Sequence, residues 1–156
     1  MIRYFEDFAV GSVEHCGTHV VLRADVLDFA SKYDPQSYHL DDEAAANSLF
    51  GRLSASGWHT AAMTMRNMVD HWKATGATES SLCGVGTDEM RWLKPVYPDD
   101  VLRFESEVLE KKELRSKPDT GLVKAHWRVF NQEDEPVYTV KVMAMFRRRP
   151  SGEAEA

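Results

Sequence analysis

Three segments in the second half of the chain have the side-chain patterns of β-strands, and the first two alternate between apolar and polar residues, the period of a half-buried strand. They cover residues 101–108, 123–129 and 137–146. In the first segment, Leu102, Phe104 and Val108 share one face. The last segment is apolar on both faces apart from Lys141, which favours a central strand. A further strand is expected over roughly residues 84–96.

Turn-forming residues separate these strands. Proline, aspartate, glycine or asparagine mark the three connections, at residues 98–100, 117–121 and 131–136. Short connections between consecutive strands favour antiparallel pairing. The second half of the chain therefore predicts one antiparallel sheet.

A long amphipathic helix is predicted ahead of the strands, over residues 58–73. Its apolar stripe consists of residues spaced by four, three and four positions: Ala61, Met65, Met68 and Trp72. Small residues at 54–57 precede the helix and Gly76 follows it, which is typical of helix boundaries. Because this helix must bury its stripe against the sheet, the pattern predicts an α+β fold with the sheet around one helix.

Two shorter helices are expected before the long one. Residues 23–30 carry apolar side chains at helical spacing, and this helix should end near Asp34, because the following Pro35 disfavours helical geometry at Asp34. In residues 41–46 acidic side chains lead a run of alanines, an order that suits a helix N-terminus.

The composition is that of one ordinary domain. The 156 residues are 43% hydrophobic, enough to fill a single core, and one domain is expected over residues 1–149. Residues 150–156 offer nothing to bury and are expected to be a disordered tail. The chain contains no apolar run of roughly 20 residues and no signal-like start, so we expect a cytoplasmic protein. Cys16 and Cys83 are expected to be reduced, partly buried thiols without a chemical role.

The net charge of −6 argues against nucleic acid or a membrane surface as the main partner, because both favour a basic excess. A local basic cluster can still bind an anionic ligand. Arg91 with Lys94 is one candidate. The run Arg147, Arg148 and Arg149 is interpreted as the basic end of a terminal strand.

Few residues suggest a metal or a nucleotide cofactor. Four of the six histidines are expected at the surface: His15, His19, His71 and His126. HExxH and CxxC motifs are missing from the sequence, so no metal is expected. Gly84 and Gly86 form only a GxG, which is weak evidence for a nucleotide because no helix is expected to follow it.

Asp34 and His39 are the candidates for chemistry. They lie in one tight loop with Pro35 between them, so both side chains can turn toward one point. A carboxylate and an imidazole that share one water can act as a general base. Spacing alone favours a structural role, in which Asp34 caps a turn and His39 is an ordinary loop residue. Neither side chain is expected to contribute to the core.

Residues 29–60 resemble the signature of the (R)-specific enoyl-CoA hydratases and the wider MaoC-like family. In that pattern a histidine follows an aspartate by five residues, as His39 follows Asp34. A glycine at the start of the family's central helix binds the thioester carbonyl through its N–H, and Gly57 occupies the matching place. Residues 86–100 are similar to the family's strand and turn after the helix.

The resemblance implies a hotdog fold that adds water reversibly to a trans-2-enoyl-CoA thioester. In this role Asp34, His39 and Gly57 would be catalytic. It further implies that Arg91 or Lys94 meets the CoA phosphates and that Trp58 lines the acyl site. CoA would enter only as part of the substrate, with no metal or other cofactor. The family architecture also implies a homodimer that joins two sheets edge to edge.

The sequence departs from the family pattern at three positions. Gln36 and Ser37 replace an Asn-Pro pair, and Met65 replaces a small polar residue of some hydratases. Two alternatives therefore stay open beside the hydratase. One is an acyl-CoA thioesterase, which directs water at C1 of the acyl group, and the other is a non-catalytic acyl-CoA-binding dimer.

Overall fold

The computed structural model describes residues 1–151. Its strands are β1 (Val13–Val20), β2 (Ser81–Trp92), β3 (Val101–Leu114), β4 (Lys117–Phe130) and β5 (Pro136–Arg147). Its helices are α1 (Arg23–Tyr33), α2 (Asp42–Ala46) and α3 (Gly57–Thr75), with 3-10 turns at Phe5–Asp7 and Ser37–His39. The expected tail at 150–156 falls mostly outside the described residues, which include only its first two positions.

Within the described part of the chain, the strands form one sheet in the order β1-β3-β4-β5-β2. All neighbouring pairs are antiparallel, so the predicted antiparallel sheet and the α+β class are confirmed. The apolar strand β5 is hydrogen-bonded on both sides, and β4 lies in the middle. The two edges are β1 and β2.

The turn predicted at residues 117–121 is wrong, because these residues open strand β4. The chain reverses instead at residues 115–116, a two-residue hairpin connection. Leu114 pairs with Lys117 while Glu113 pairs with Gly121, so the extra residues bulge out of the ladder. Pro118 lacks an N–H for the ladder, and a bulge is a position where a strand tolerates proline.

Helix α3 has both predicted boundaries. Ser56 is its N-cap, and Gly76 ends it in the left-handed region with a φ of 76°. The predicted stripe is wrong at Met65, which is 41% exposed. The buried side chains of α3 are instead His59, Thr60, Met63, Thr64 and Met68. Threonines are tolerated there because a buried hydroxyl can bond within the helix, as the Thr64 Oγ1 does to the Thr60 carbonyl at 2.8 Å.

The main core lies between α3 and the sheet. Met63 and Met68 of α3 belong to the same buried cluster as Phe104 of β3 and Trp127 of β4. Val26 of α1 joins this cluster, which fixes the end of α1, and with it Asp34, close to the start of α3. None of the helices within residues 1–151 has the length and apolar character needed to cross a membrane.

Two of the histidines expected at the surface are partly buried and hydrogen-bonded. The His71 Nε2 donates to the Glu14 carboxylate at 2.7 Å, and Arg3 donates to the same carboxylate. Burial raises the pKa of Glu14, but the hydrogen bonds from Arg3 and His71 outweigh it and lower the pKa overall. His126 is bonded to Thr139. Helix and strand periodicity could not show these polar partners.

Two further expectations concern surface residues. Cys16 is buried, but Cys83 is exposed on the edge strand β2, so the expectation of partial burial is wrong for Cys83. In the C-terminal arginine run, Arg148 forms an ion pair with Glu6 at 3.1 Å. Arg149 pairs with Asp7. These ion pairs tie the end of β5 to the 3-10 turn at Phe5–Asp7.

Candidate active site

The loop after α1 brings Asp34 and His39 together. Asp34 is the C-cap of α1, and its N–H still donates to the Ala30 carbonyl at 3.0 Å. Pro35 then ends the helix, because its ring disfavours helical geometry at the preceding residue. The 3-10 turn at Ser37–His39 turns the imidazole back, so that the His39 Nε2 lies 3.6 Å from the Asp34 Oδ2.

The partner of the other imidazole nitrogen defines the tautomer of His39. The His39 Nδ1 lies 2.8 Å from the Ser54 carbonyl oxygen, which can only accept a hydrogen bond, so Nδ1 carries the proton. In the neutral ring the Nε2 lone pair then faces the Asp34 carboxylate. Two acceptors 3.6 Å apart suit a molecule that donates to both, and water is the smallest such molecule.

His39 is buried, contrary to the expectation that it lies outside the core. Its side chain is only 5% exposed. The ring packs against Tyr38, with centroids 4.7 Å apart, and against Phe50 at 5.6 Å. The hydrogen bond to Ser54 and these two ring contacts fix the direction in which Nε2 points.

Both oxygens of the Asp34 carboxylate accept hydrogen bonds. The Ser56 hydroxyl donates to Oδ2 at 2.6 Å, and the Gln36 amide donates to Oδ1 at 2.7 Å. Burial raises the pKa of Asp34, but the hydrogen bonds from Ser56 and Gln36 and the neighbouring His39 outweigh it, so the pKa is lowered. Gln36, one of the departures from the family pattern, thus holds the carboxylate, and the Tyr38 hydroxyl in turn donates to Gln36.

The start of α3 forms the second side of the site. Gly57 is the first residue of the helix, where backbone N–H groups have no intrahelical acceptor. A Cβ added to Gly57 would lie 2.7 Å from the Trp92 ring, closer than real Cβ contacts, so any side chain at this position would displace the indole. The Trp92 Nε1 donates to the Gly57 carbonyl at 2.7 Å, which fixes the orientation of the Gly57–Trp58 peptide.

A cavity of about 340 Å³ joins these groups. Asp34, His39 and Gly57 line it together with two of the predicted substrate-binding residues, Trp58 and Lys94. Trp58 is 57% exposed and packs edge-on against Trp92, with ring centroids 5.1 Å apart. Lys94 lies against the carboxylate of Glu135.

Arg91, the remaining candidate for binding, is not brought to the cavity of this chain. It is exposed on β2, and its guanidinium donates to the Met90 carbonyl at 2.9 Å. Its contact with CoA phosphates stays a prediction.

Three residues of the site have no assigned role from the sequence: Gln36, Ser56 and Trp92. Ser56 is recognisable in the sequence as a helix-capping serine, but its contact with Asp34 spans 22 positions along the chain. The contact of Trp92 with Gly57 spans 35 positions. Local periodicity carries no signal for either contact.

Comparison with known proteins places the chain in a family. A family model described as "MaoC like domain" matches residues 10–127. The chain belongs to the MaoC-like domain family. The hotdog fold implied by the resemblance is likewise shown by its structural neighbours.

Three relatives illustrate the similarity of this MaoC-like protein to others. The crystal structure of the MaoC-like dehydratase from Rhodospirillum rubrum is 40% identical, with a TM-score of 0.85, and the match covers 95% of this chain and 99% of that one. The uncharacterized protein YdeM of Bacillus subtilis (strain 168) is 28% identical over 143 residues, covering 92% of this chain and 98% of YdeM. Mesaconyl-CoA hydratase of Cereibacter sphaeroides is 40% identical over 70 residues, which are 45% of this chain and 20% of that enzyme.

Proposed function

We propose that this MaoC-like protein is a hydro-lyase that adds water reversibly across the C2–C3 double bond of a trans-2-enoyl-CoA thioester. One observation carries the proposal: the His39 Nε2 lone pair and the Asp34 Oδ2 face each other at 3.6 Å beside the first N–H of a long helix. This arrangement combines a base for water with a donor for a developing oxyanion.

The steps balance without a further reactant. The oxygen of a water held by Asp34 and His39 bonds to C3, while one water proton moves to this pair. The electrons of the double bond shift toward the thioester oxygen, which accepts a hydrogen bond from the Gly57 N–H as it gains charge. The helix dipole supports the same charge. The proton then returns to C2, giving the 3-hydroxyacyl thioester.

The substrate would reach these groups through the cavity at the start of α3. Trp58 would contact the acyl chain, and Lys94, with Arg91 outside the cavity, would meet the CoA phosphates. CoA enters as part of the substrate, and we expect no metal or other cofactor. The Rhodospirillum rubrum dehydratase and the partial match to mesaconyl-CoA hydratase support this reaction class.

A homodimer would complete the fold. The edge strand β2 has no buried residue along its 12 positions. Its exposed apolar side chains include Leu82, Val85 and Trp92. An exposed apolar edge invites pairing, and a second copy would cover it. Sedimentation of the purified protein tests this assembly, and a monomer at micromolar concentration would contradict it.

The reaction is tested with crotonyl-CoA and octenoyl-CoA. Absorbance monitors the conjugated double bond. The expected result is loss of this double bond without release of free thiol. Thiol release would instead establish a thioesterase, and binding without either change would establish a non-catalytic acyl-CoA-binding protein.

An aspartate pair provides the matched control. Asp34→Asn should lower turnover by about 10²–10⁴, the usual contribution of a positioned general base. Asp28→Asn changes an exposed carboxylate on the same helix, whose side chain is 61% exposed, and should leave turnover unchanged. Equal activity of the two variants would contradict the assigned base.

A further inference from the structure

Ser56 makes two hydrogen bonds from a fully buried position. Its residue exposure is 0%. The hydroxyl oxygen accepts from the Trp58 N–H at 3.2 Å, and the hydroxyl proton is donated to the Asp34 Oδ2 at 2.6 Å. The N-cap function uses only the acceptor side of a serine hydroxyl. The donor side is therefore left for Asp34.

The donated bond reaches the oxygen that faces the imidazole. Oδ2 of Asp34 is the atom 3.6 Å from the His39 Nε2, whereas Gln36 holds the other oxygen. Gln36 is exposed, while Ser56 is enclosed by the protein. Ser56 thus provides the buried restraint on the carboxylate oxygen that would share a water with His39.

Ser56 also joins the two halves of the site. Through its bond to the Trp58 N–H it belongs to the first turn of α3, next to Gly57. Through its bond to Asp34 it reaches the end of α1. One side chain therefore links the Asp34 carboxylate directly to the first turn of α3.

We propose, building on the proposed hydration reaction, that Ser56 is a positioning residue that holds the Asp34 carboxylate in register with His39 and with the Gly57 N–H. It does not touch the substrate. Burial raises the pKa of Asp34, and the hydrogen bond from the Ser56 hydroxyl is the main contact that lowers it.

The experiment compares Ser56→Ala and Ser56→Gly with wild type and with Ser80→Ala. Both Ser56 variants lose the hydroxyl, but glycine is accepted at an N-cap almost as well as serine, whereas alanine is not. Ser80 is also 0% exposed and donates its hydroxyl to backbone carbonyls, so its alanine variant controls for the loss of a buried serine hydroxyl elsewhere.

We expect both Ser56 variants to lose about 10- to 100-fold in kcat with little change in KM, the scale of one hydrogen bond to a charged group. The acidic limb of the pH–rate profile should move to higher pH in both, because the pKa of Asp34 rises when the donor is removed. A ¹³C NMR titration of the Asp34 carboxyl should show the same direction. Ser80→Ala should keep the wild-type rate and profile.

Other outcomes overturn the inference in distinguishable ways. If Ser56→Gly keeps the wild-type rate and profile while Ser56→Ala does not, Ser56 is only a helix cap. If neither Ser56 variant differs from Ser80→Ala, Ser56 has no positioning role. A wild-type protein that hydrates no enoyl-CoA would remove the proposed function itself, and the kinetic role of Ser56 with it.

Discussion

Gly57→Ala should destabilise the protein, although helix formation by itself favours alanine at this position. The backbone of Gly57 lies outside the left-handed region that requires glycine. At such compatible sites, replacing glycine by alanine usually stabilises a protein by about 0.4–1 kcal/mol, because it restricts the unfolded chain. The tertiary contact with Trp92 reverses this expectation.

The added methyl group would lie 2.7 Å from the Cε2 and Nε1 atoms of Trp92. Trp92 is 45% exposed, so its ring can swing outward. That movement breaks its hydrogen bond to the Gly57 carbonyl, at about 0.5–1.5 kcal/mol, and its edge-on contact with Trp58, at about 0.5–1.5 kcal/mol. Subtracting the gain of alanine leaves a net loss of about 1.3 kcal/mol at the middle of these ranges, which lowers Tm by about 3–5 °C in a domain of this size.

Activity should fall further than stability. The displaced indole no longer orients the Gly57–Trp58 peptide, and the methyl group occupies space beside the N–H that would bind the thioester oxygen. A misplacement of about 1 Å in an active site costs on the order of 10²-fold in rate. Calorimetric melting and crotonyl-CoA hydration measure the two effects on the same protein.

A double-mutant cycle isolates the contact with the indole. In a Trp92→Ala background the ring is gone, so Gly57→Ala should be neutral or stabilising by about 0.4–1 kcal/mol. A loss of stability that is equal in both backgrounds, or no loss in the wild-type background, would refute the steric argument.

Three further changes test other parts of the molecule. His39→Ala should lower the free energy of unfolding, measured in urea, by about 1–3 kcal/mol, because it leaves the buried Ser54 carbonyl without its hydrogen-bond donor. Unchanged stability would contradict the burial of this ring. Trp92→Phe keeps a ring but loses the donor to the Gly57 carbonyl, and kcat/KM should fall about 2- to 10-fold, whereas an unchanged value would remove Trp92 from the site. Burial raises the pKa of Glu14, but hydrogen bonds from Arg3 and His71 outweigh this effect, so the pKa is lowered overall. The stabilisation from Glu14 is therefore present above its unfolded pKa of about 4.3 and is lost as the pH falls through the lower folded pKa. Glu14→Gln should lower Tm at pH 7 and reduce the fall of Tm toward acidic pH. Parallel curves of Tm against pH for the variant and the wild type would contradict this.

Periodicity and turn chemistry are local properties, and they predicted the elements that depend on them. The last three strands, the boundaries of α3 at Ser56 and Gly76, and the antiparallel pairing were predicted, whereas turn chemistry misplaced the connection between β3 and β4. The five-residue interval from Asp34 to His39, together with the family resemblance, likewise predicted the candidate site. In each of these cases neighbouring residues along the chain carry the signal.

Contacts between distant segments were decided by tertiary structure. Helical spacing placed Met65 in the buried stripe, whereas packing turned the face of Thr60 and Thr64 inward, since threonine hydroxyls can bond within a helix. The bonds of Ser56 to Asp34 and of Trp92 to Gly57 arise only when α1, α3 and β2 meet. The sequence by itself determined which chemical groups are available, and the fold alone determined their distances, because hydrogen bonding and steric exclusion act through space and not along the chain.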